Sequence, residues 1–157
     1  MVLTGELKEK YEYMVPKVSY IQVPVHYSAG AIIKNDKGEI LMIDRLKQPF
    51  GFACPAGHID EGETDIEAVT REVEEETGLV IKMLLKHDTS DFKDIPQETC
   101  SRGVSIHKWS IFSVVAEGKL IVKVDEVKSI GWYSVEEIKK LSLETVWKYW
   151  FEKLKII

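Results

Sequence analysis

Between residues 60 and 76 the chain carries nine acids, Asp60, Glu61, Glu63, Asp65, Glu67, Glu72, Glu74, Glu75 and Glu76, against one base, Arg71. Carboxylates crowded this densely can hold hard divalent cations such as Mg²⁺ or Mn²⁺, and they can exchange protons with water. The rest of the chain holds 17 acids and 20 bases, so the overall charge of -5 describes a mildly basic body bearing one patch of -8. Such a patch repels phosphates unless cations sit in it.

An acidic run becomes a site only if one element holds the acids together. Thr64 followed by Glu67 forms a capping box, and Gly78 suits a left-handed terminator, so the spacing predicts a helix over about 65–77. At about 100° per residue, with Glu72 at zero, Val73, Val69 and Ile66 form an apolar stripe facing the core. Glu72, Glu75 and Glu76 form a carboxylate stripe beside it. Glu67, Arg71 and Glu74 point away, with Glu67 and Arg71 spaced as an ordinary i,i+4 surface pair. A solvated face is the plain reading of a Glu-rich helix. Here, however, like charges crowd the edge of the core and do not alternate with Lys, a repulsion that a divalent cation removes. Because Glu76 lies at the edge of the apolar stripe, Glu76→Ala is expected to weaken metal affinity and leave folding intact.

The remaining chain supplies strands and two further helices. From about Val18 the pattern is β-like: VSYIQVPVHY, then SAGAIIK, the turn NDKG with Gly38 suited to a positive φ, and EILMIDR returning as a hairpin. A Gly/Pro-punctuated loop, QPFGFACPAGHIDEG, leads into the acidic helix. Strand-like runs follow at GLVIKMLLKH, HKWSIFSVVAEG, KLIVKV and KSIGWYS. Helical spacing returns in VEEIKKL and in LETVWKYWFEKL, where Trp147, Trp150 and Phe151 serve core or dimer packing. Residues 88–105 form the longest stretch without periodicity, and loops of that length are usually functional or disordered. Strands interleaved with helices predict an α/β or α+β sandwich around a mixed sheet.

Composition narrows the class. A chain of 157 residues fits one domain, 1–157, with 1–25 as an N-terminal extension that covers an edge strand, mediates dimerisation or serves as a lid. With 45% hydrophobic and 30% charged residues it reads as a globular protein. No apolar run approaches a bilayer span and the start lacks a secretory pattern, so a cytoplasmic location and no membrane partner are expected. Cys54 and Cys100 have no paired ligand spacing and are read as free thiols. No basic groove interleaved with aromatics suggests nucleic acid.

From Gly57, the arrangement of five residues, Glu63, seven residues and Arg71-Glu72-Val73-Glu74-Glu75-Glu76-Thr77-Gly78-Leu79 resembles the Nudix box without gap or mismatch. The resemblance covers 23 residues, with a coarser likeness in EILMIDR, in the loop from Phe52 to Gly57, and in the Glu126 to Trp132 segment. It implies an α/β/α sandwich with a central mixed sheet, and a loop-helix-loop that binds Mg²⁺, with Mn²⁺ as substitute. By matched position, Glu72, Glu75 and Glu76 look like metal ligands, joined by the carbonyl of Ala56. Relatives commonly have a second glycine at that place, and Ala disfavours a positive φ. Gly57, Glu63, Arg71 and Gly78 are read as structural, with Glu63 and Arg71 bracing loop and helix as an ion pair.

The implied reaction is metal-assisted hydrolysis of a diphosphate linkage in a nucleoside diphosphate derivative. Glu72 is the first choice for general base and Glu126 the rival. Arg45 looks like a contact to substrate phosphate, and Phe52 matches a frequently aromatic place whose ring either packs or stacks on a base. His58 is read as a lone, structural histidine. Nucleoside triphosphates or related small nucleotides are preferred as substrates. ADP-ribose-like sugars stay open, because Pro96, 17 residues past Leu79, falls near the place where ADP-ribose hydrolases often have a proline, whereas the loop after the box lacks the tyrosine that dinucleoside polyphosphate enzymes tend to carry there. Two other classes compete: a nucleotide-sensing module without turnover, and a calcium-binding helix, which the absence of EF-hand spacing disfavours.

Overall fold

The structure is a computed structural model, and it describes residues 25–90 and 106–157. Among the described residues seven strands form two sheets: β1 (Val25–Ile33), β2 (Ile40–Arg45), β3 (Gly51–Ala53), β4 (Ala56–His58), β5 (Val80–Thr89), β6 (Ile106–Glu117) and β7 (Val127–Tyr133). The described residues also form three helices: α1 (Asp65–Thr77), α2 (Val135–Ile138) and α3 (Thr145–Lys153). The larger sheet runs β4-β1-β6-β5 and is mixed, with β1 and β6 parallel and both outer pairings antiparallel. The smaller runs β3-β2-β7, antiparallel throughout.

Side chains alternate along these strands and fill two separate cores. Ile32, Ile40, Met42 and Ile111 point to one face, where α2 contributes Ile138 and α3 contributes Val146, Trp147, Trp150 and Phe151. Their neighbours Ala29, Ala31, Ile33, Leu41, Phe112 and Val114 point to the other face, against Ala68, Val69 and Val73 of α1. Strands of both sheets therefore lie between α1 on one side and α2 with α3 on the other, the expected α/β/α layering. Trp147, Trp150 and Phe151 of α3 recur at helical spacing and are buried in the core, with Tyr149 packed at its edge.

Gly30 makes the α3 side fit. A Cβ at this position would lie 2.9 Å from Trp147 Cζ2 and 3.1 Å from the Ala56 Cβ, so a strand residue without a side chain lets the indole lie against the sheet.

Three expectations are corrected. The turn at residues 35–38 forms as expected, with Gly38 at φ 76° and the Asn35 carboxamide accepting from the amides of Lys37 and Glu39. The flanking strands do not continue as a hairpin, however. They share one bridge, Lys34 with Ile40, and then separate into different sheets because each pairs along its length with another strand. KLIVKV is not a strand: beyond Gly118, Ile121 donates its amide to the Thr77 carbonyl, while Ile121, Val122 and Val124 are exposed. Ile66 is also exposed, since it belongs to the first turn of α1 and the buried face begins only at Ala68. Residues 91–105, with Pro96 and Cys100, and most of the N-terminal extension lie outside the described residues.

Substituting Gly30→Val should overpack the Trp147 contact and cost about 1–3 kcal/mol. Ile66→Gln should stay within about 0.5 kcal/mol of the parent. Urea midpoints at constant m-value would show the contrast, and equal costs would refute this assignment of the two positions.

Candidate functional site

The helix that carries the acids is terminated as its sequence demands. The Glu67 amide donates to Thr64 Oγ1 at 3.2 Å while Glu67 Oε2 accepts the Thr64 amide at 2.8 Å, and Gly78 adopts φ 76°. Its buried residues are Ala68, Val69, Val73 and Thr77. With Glu72 again at zero, these fall near -40°, 60°, 100° and 140°, at about 100° per residue. Glu72 and Glu76 consequently lie within the buried arc, not beside it as the stripe of Val73, Val69 and Ile66 suggested, because Ala68 widens that arc past them.

Both carboxylates point at the strand before the helix. A Cβ on Gly57 would collide with the Glu72 carboxylate, so only glycine admits the acid there. Glu76 Oε1 accepts the amide of Ala56 at 2.8 Å. Ala56 itself lies in β4 opposite Gly30, and Lys155 is the one non-glycine with positive φ among the described residues. No left-handed conformation is thus asked of the alanine.

Arg71 does not point away. Its Nε donates to Glu63 Oε1 at 2.8 Å and its Nη2 to Glu63 Oε2 at 2.9 Å, a two-pronged pairing. Nη1 reaches Glu72 Oε1 at 2.6 Å and Glu75 Oε2 at 3.5 Å, and Nη2 also donates to the His58 carbonyl at 3.0 Å. The capping box holds Glu67 back, and the loop offers the guanidinium better acceptors than an i,i+4 partner would.

Four carboxylates, Asp60, Glu63, Glu72 and Glu75, share this one guanidinium, which leaves the cluster strongly negative. The Glu72 side chain is 14% exposed and that of Glu75 56%, so the stripe runs from sheltered to open.

Electrostatics follow from this placement. Burial pushes the Glu76 carboxyl up to about 8, opposed by the Ala56 amide and reinforced by the charges of Glu72 and Glu126, with Arg45 pulling the other way. Burial also raises Glu72, against the hydrogen bond and charge of Arg71. Glu63 is lowered to about 2 by its hydrogen bond to Arg71. Arg45 and Glu126 thus act on Glu76 although they stand far apart in sequence. Arg45 ends β2, pairs with Val127 and donates Nε to the Pro49 carbonyl at 2.8 Å, and the Leu46 amide donates to the Glu126 carbonyl at 3.3 Å.

Phe52 packs against the α3 core, its ring 5.6 Å from Tyr133 in a T-shaped contact. Cys54 is buried and free, its thiol pushed up by burial and by the charges of Glu144 and Glu76.

Glu144 is a buried acid beside this thiol that the sequence did not single out, and His58 is not alone but clusters with His26 and His107. Alternation within β1 and β6 marks the faces of His26 and His107, but their meeting depends on a strand pairing that local pattern does not encode.

Two measurements probe these charges. Without divalent cations, the raised Glu76 carboxyl makes the folded state hold a proton that the unfolded chain releases near 4.5, so stability should fall as pH rises from about 4.5 through 8. Glu76→Gln keeps the acceptor for Ala56 and should raise Tm at pH 8 in chelator by a few degrees, and an unchanged or lower Tm would count against a strained carboxylate. The lowered Glu63 has the opposite sign, stabilising above about 4.5 and losing its effect as pH falls toward 2. The Tm deficit of Glu63→Gln should accordingly be present at pH 7 and shrink at acid pH.

Comparison with known proteins places this geometry. A family model described as NUDIX domain matches residues 24–154. An ADP-ribose pyrophosphatase of Methanocaldococcus jannaschii is 35% identical over 119 residues, 73% of this chain and 64% of its own length. An RNA pyrophosphohydrolase of Ruthia magnifica is 44% identical over 52 residues, 33% of this chain and 28% of its own length. The chain thus spans less than two thirds of either relative. The crystal structure of a MutT NUDIX hydrolase from Burkholderia pseudomallei superposes with a TM-score of 0.58 at 25% identity, covering 73% of this chain and 86% of that one. The carboxylate helix against its glycine strand and a match spanning most of the sequence lead to one conclusion: the chain belongs to the NUDIX domain family.

Proposed function

We propose that this chain hydrolyses the diphosphate linkage of nucleoside diphosphate derivatives with a divalent cation, Mg²⁺ or in its place Mn²⁺. The observation that carries this reading is the placement of Glu72 and Glu76 inside the buried arc of α1, one against Gly57 and the other on the Ala56 amide. Acids in such a position raise the free energy of the fold unless their charge is used, and hard divalent ions are the partners their oxygens prefer. The donor set fits: Glu72, Glu75 and Glu76, with the carbonyl of Ala56, would hold the ion. When bound, it supplies charge neutralisation and Lewis acidity toward the diphosphate.

The chain's own residues do the rest. Arg71 clamps Glu63, Glu72 and the His58 carbonyl together, which fixes the loop against the helix. Glu72, with its carboxyl raised, is the proposed base that takes the proton of the attacking water, and Glu126 is the alternative. Arg45, whose charge is felt at Glu76, is the proposed contact to substrate phosphate. Phe52 is assigned to packing, given its contact with Tyr133.

Among substrates, ADP-ribose-like nucleoside diphosphate sugars come first, because likeness to the M. jannaschii protein extends well beyond the 23-residue box. Nucleoside triphosphates are the second class.

Product analysis with Mg²⁺ tests both: a nucleoside monophosphate with a sugar phosphate from the first class, or with pyrophosphate from the second. Glu72→Gln should lower kcat/KM by about 10²–10⁴-fold, the usual contribution of a general base. Ligand binding without product in the parent protein would instead identify a sensing module.

A further inference from the structure

Three histidines from three strands meet on the sheet face opposite the carboxylates. His26 in β1 is the direct partner of His107 in β6, and His58 in β4 is the partner of Ser28, two residues along β1 from His26. Partners and residues two apart share a face. This face also bears Ala56 and Trp109, which pack toward α3, whereas Gly57 turns to Glu72 on the far side. The imidazoles are therefore separated from the acidic site by the thickness of one strand.

We propose that His26, His58 and His107 bind a borderline transition metal ion of the Zn²⁺ class. One ligand nitrogen from each ring lies within 4.8 Å of the others, and ring centroids are 5.1, 5.4 and 5.8 Å apart. His58 Nε2 and His107 Nε2 are 3.3 Å apart. Zn–N bonds of about 2.0–2.1 Å in a tetrahedron require nitrogens roughly 3.3–3.4 Å apart. One edge of the polyhedron is already formed, and the third imidazole needs only a side-chain adjustment.

Ligand chemistry keeps this ion distinct from the one on the other face. Imidazole nitrogen suits Zn²⁺, Ni²⁺ and Cu²⁺, while carboxylate oxygens suit Mg²⁺ and Mn²⁺. All three rings stand on strands and are half-buried, so the backbone sets their approach while an ion can still reach them. Three protein ligands leave a coordination position for water or another small donor. An ion here would pin β4, the strand that carries Ala56 and Gly57, to β1 and β6.

The test uses the full chain without a histidine tag, stripped with chelator and then held in excess Mg²⁺ so that the carboxylates are occupied. Titration with Zn²⁺ should show about one equivalent bound, and Co²⁺ in its place should give the intense visible bands of low-coordinate cobalt. His26→Gln and His107→Gln should each weaken binding by more than the roughly 10–100-fold typical of changes outside the ligand shell. Glu72→Gln should bind Zn²⁺ as the parent does. Zn²⁺ should also shift the ring resonances of His26, His58 and His107 in the parent protein, a readout that needs no variant. The proposal falls if the parent binds no Zn²⁺, if those resonances stay put on binding, or if affinity survives loss of the histidines and disappears with Glu72.

Discussion

Charged carboxylates are poorly tolerated in the buried face of a helix, yet α1 holds two there. Ala68, Val69, Val73 and Thr77 pack against the strands, and Glu72 and Glu76 project within the same arc. Much of the surrounding architecture can be understood as what makes this placement possible. Gly57 leaves room for one carboxylate, the Ala56 amide is spent on the other, and Arg71 lends a single positive charge to four acids. Burial, reinforced by the charges of Glu72 and Glu126, still pushes the Glu76 carboxyl up to about 8.

β4 transmits constraints between the two layers of the molecule. On one side it gives Gly57 and the Ala56 amide to the carboxylates. On the other it presents the Ala56 methyl to Trp147 and the His58 ring to His26 and His107. The His58 carbonyl, in turn, is held by Arg71. Three residues thus connect the aromatic core beneath α3, the acidic helix above, and a histidine cluster at the sheet's end. Gly30 extends the same logic one strand further, since its missing side chain lets Trp147 and Ala56 share one space.

Arg45 and Glu126 enter through the smaller sheet. Antiparallel pairing of β2 with β7 brings the end of one strand to the start of the other, and a register shift after Asp44 marks the place. Their opposing charges on Glu76 then come from topology, not from neighbourhood in sequence. Among the described residues no helix is long and apolar enough to cross a membrane.

Local chemistry determined the elements that depend on near neighbours. The limits of α1 follow from Thr64, Glu67 and Gly78, the turn at residues 35–38 from Asn35 and Gly38, and the helical spacing of α3 from its aromatics, because caps, turns and periodicity act over a few residues. The spacing of the acids was legible for the same reason.

Partner choice was not. That β1 and β2 part after a single bridge, that Ile66 overhangs the core, that KLIVKV pairs with no strand, and that Arg71 turns inward all depend on segments distant in sequence. The same holds for the half-buried position of Glu72 and Glu76 against β4 and for the meeting of three histidines. A residue's neighbours across a sheet or beneath a helix are set by the register of the whole packing, which only the tertiary structure decides.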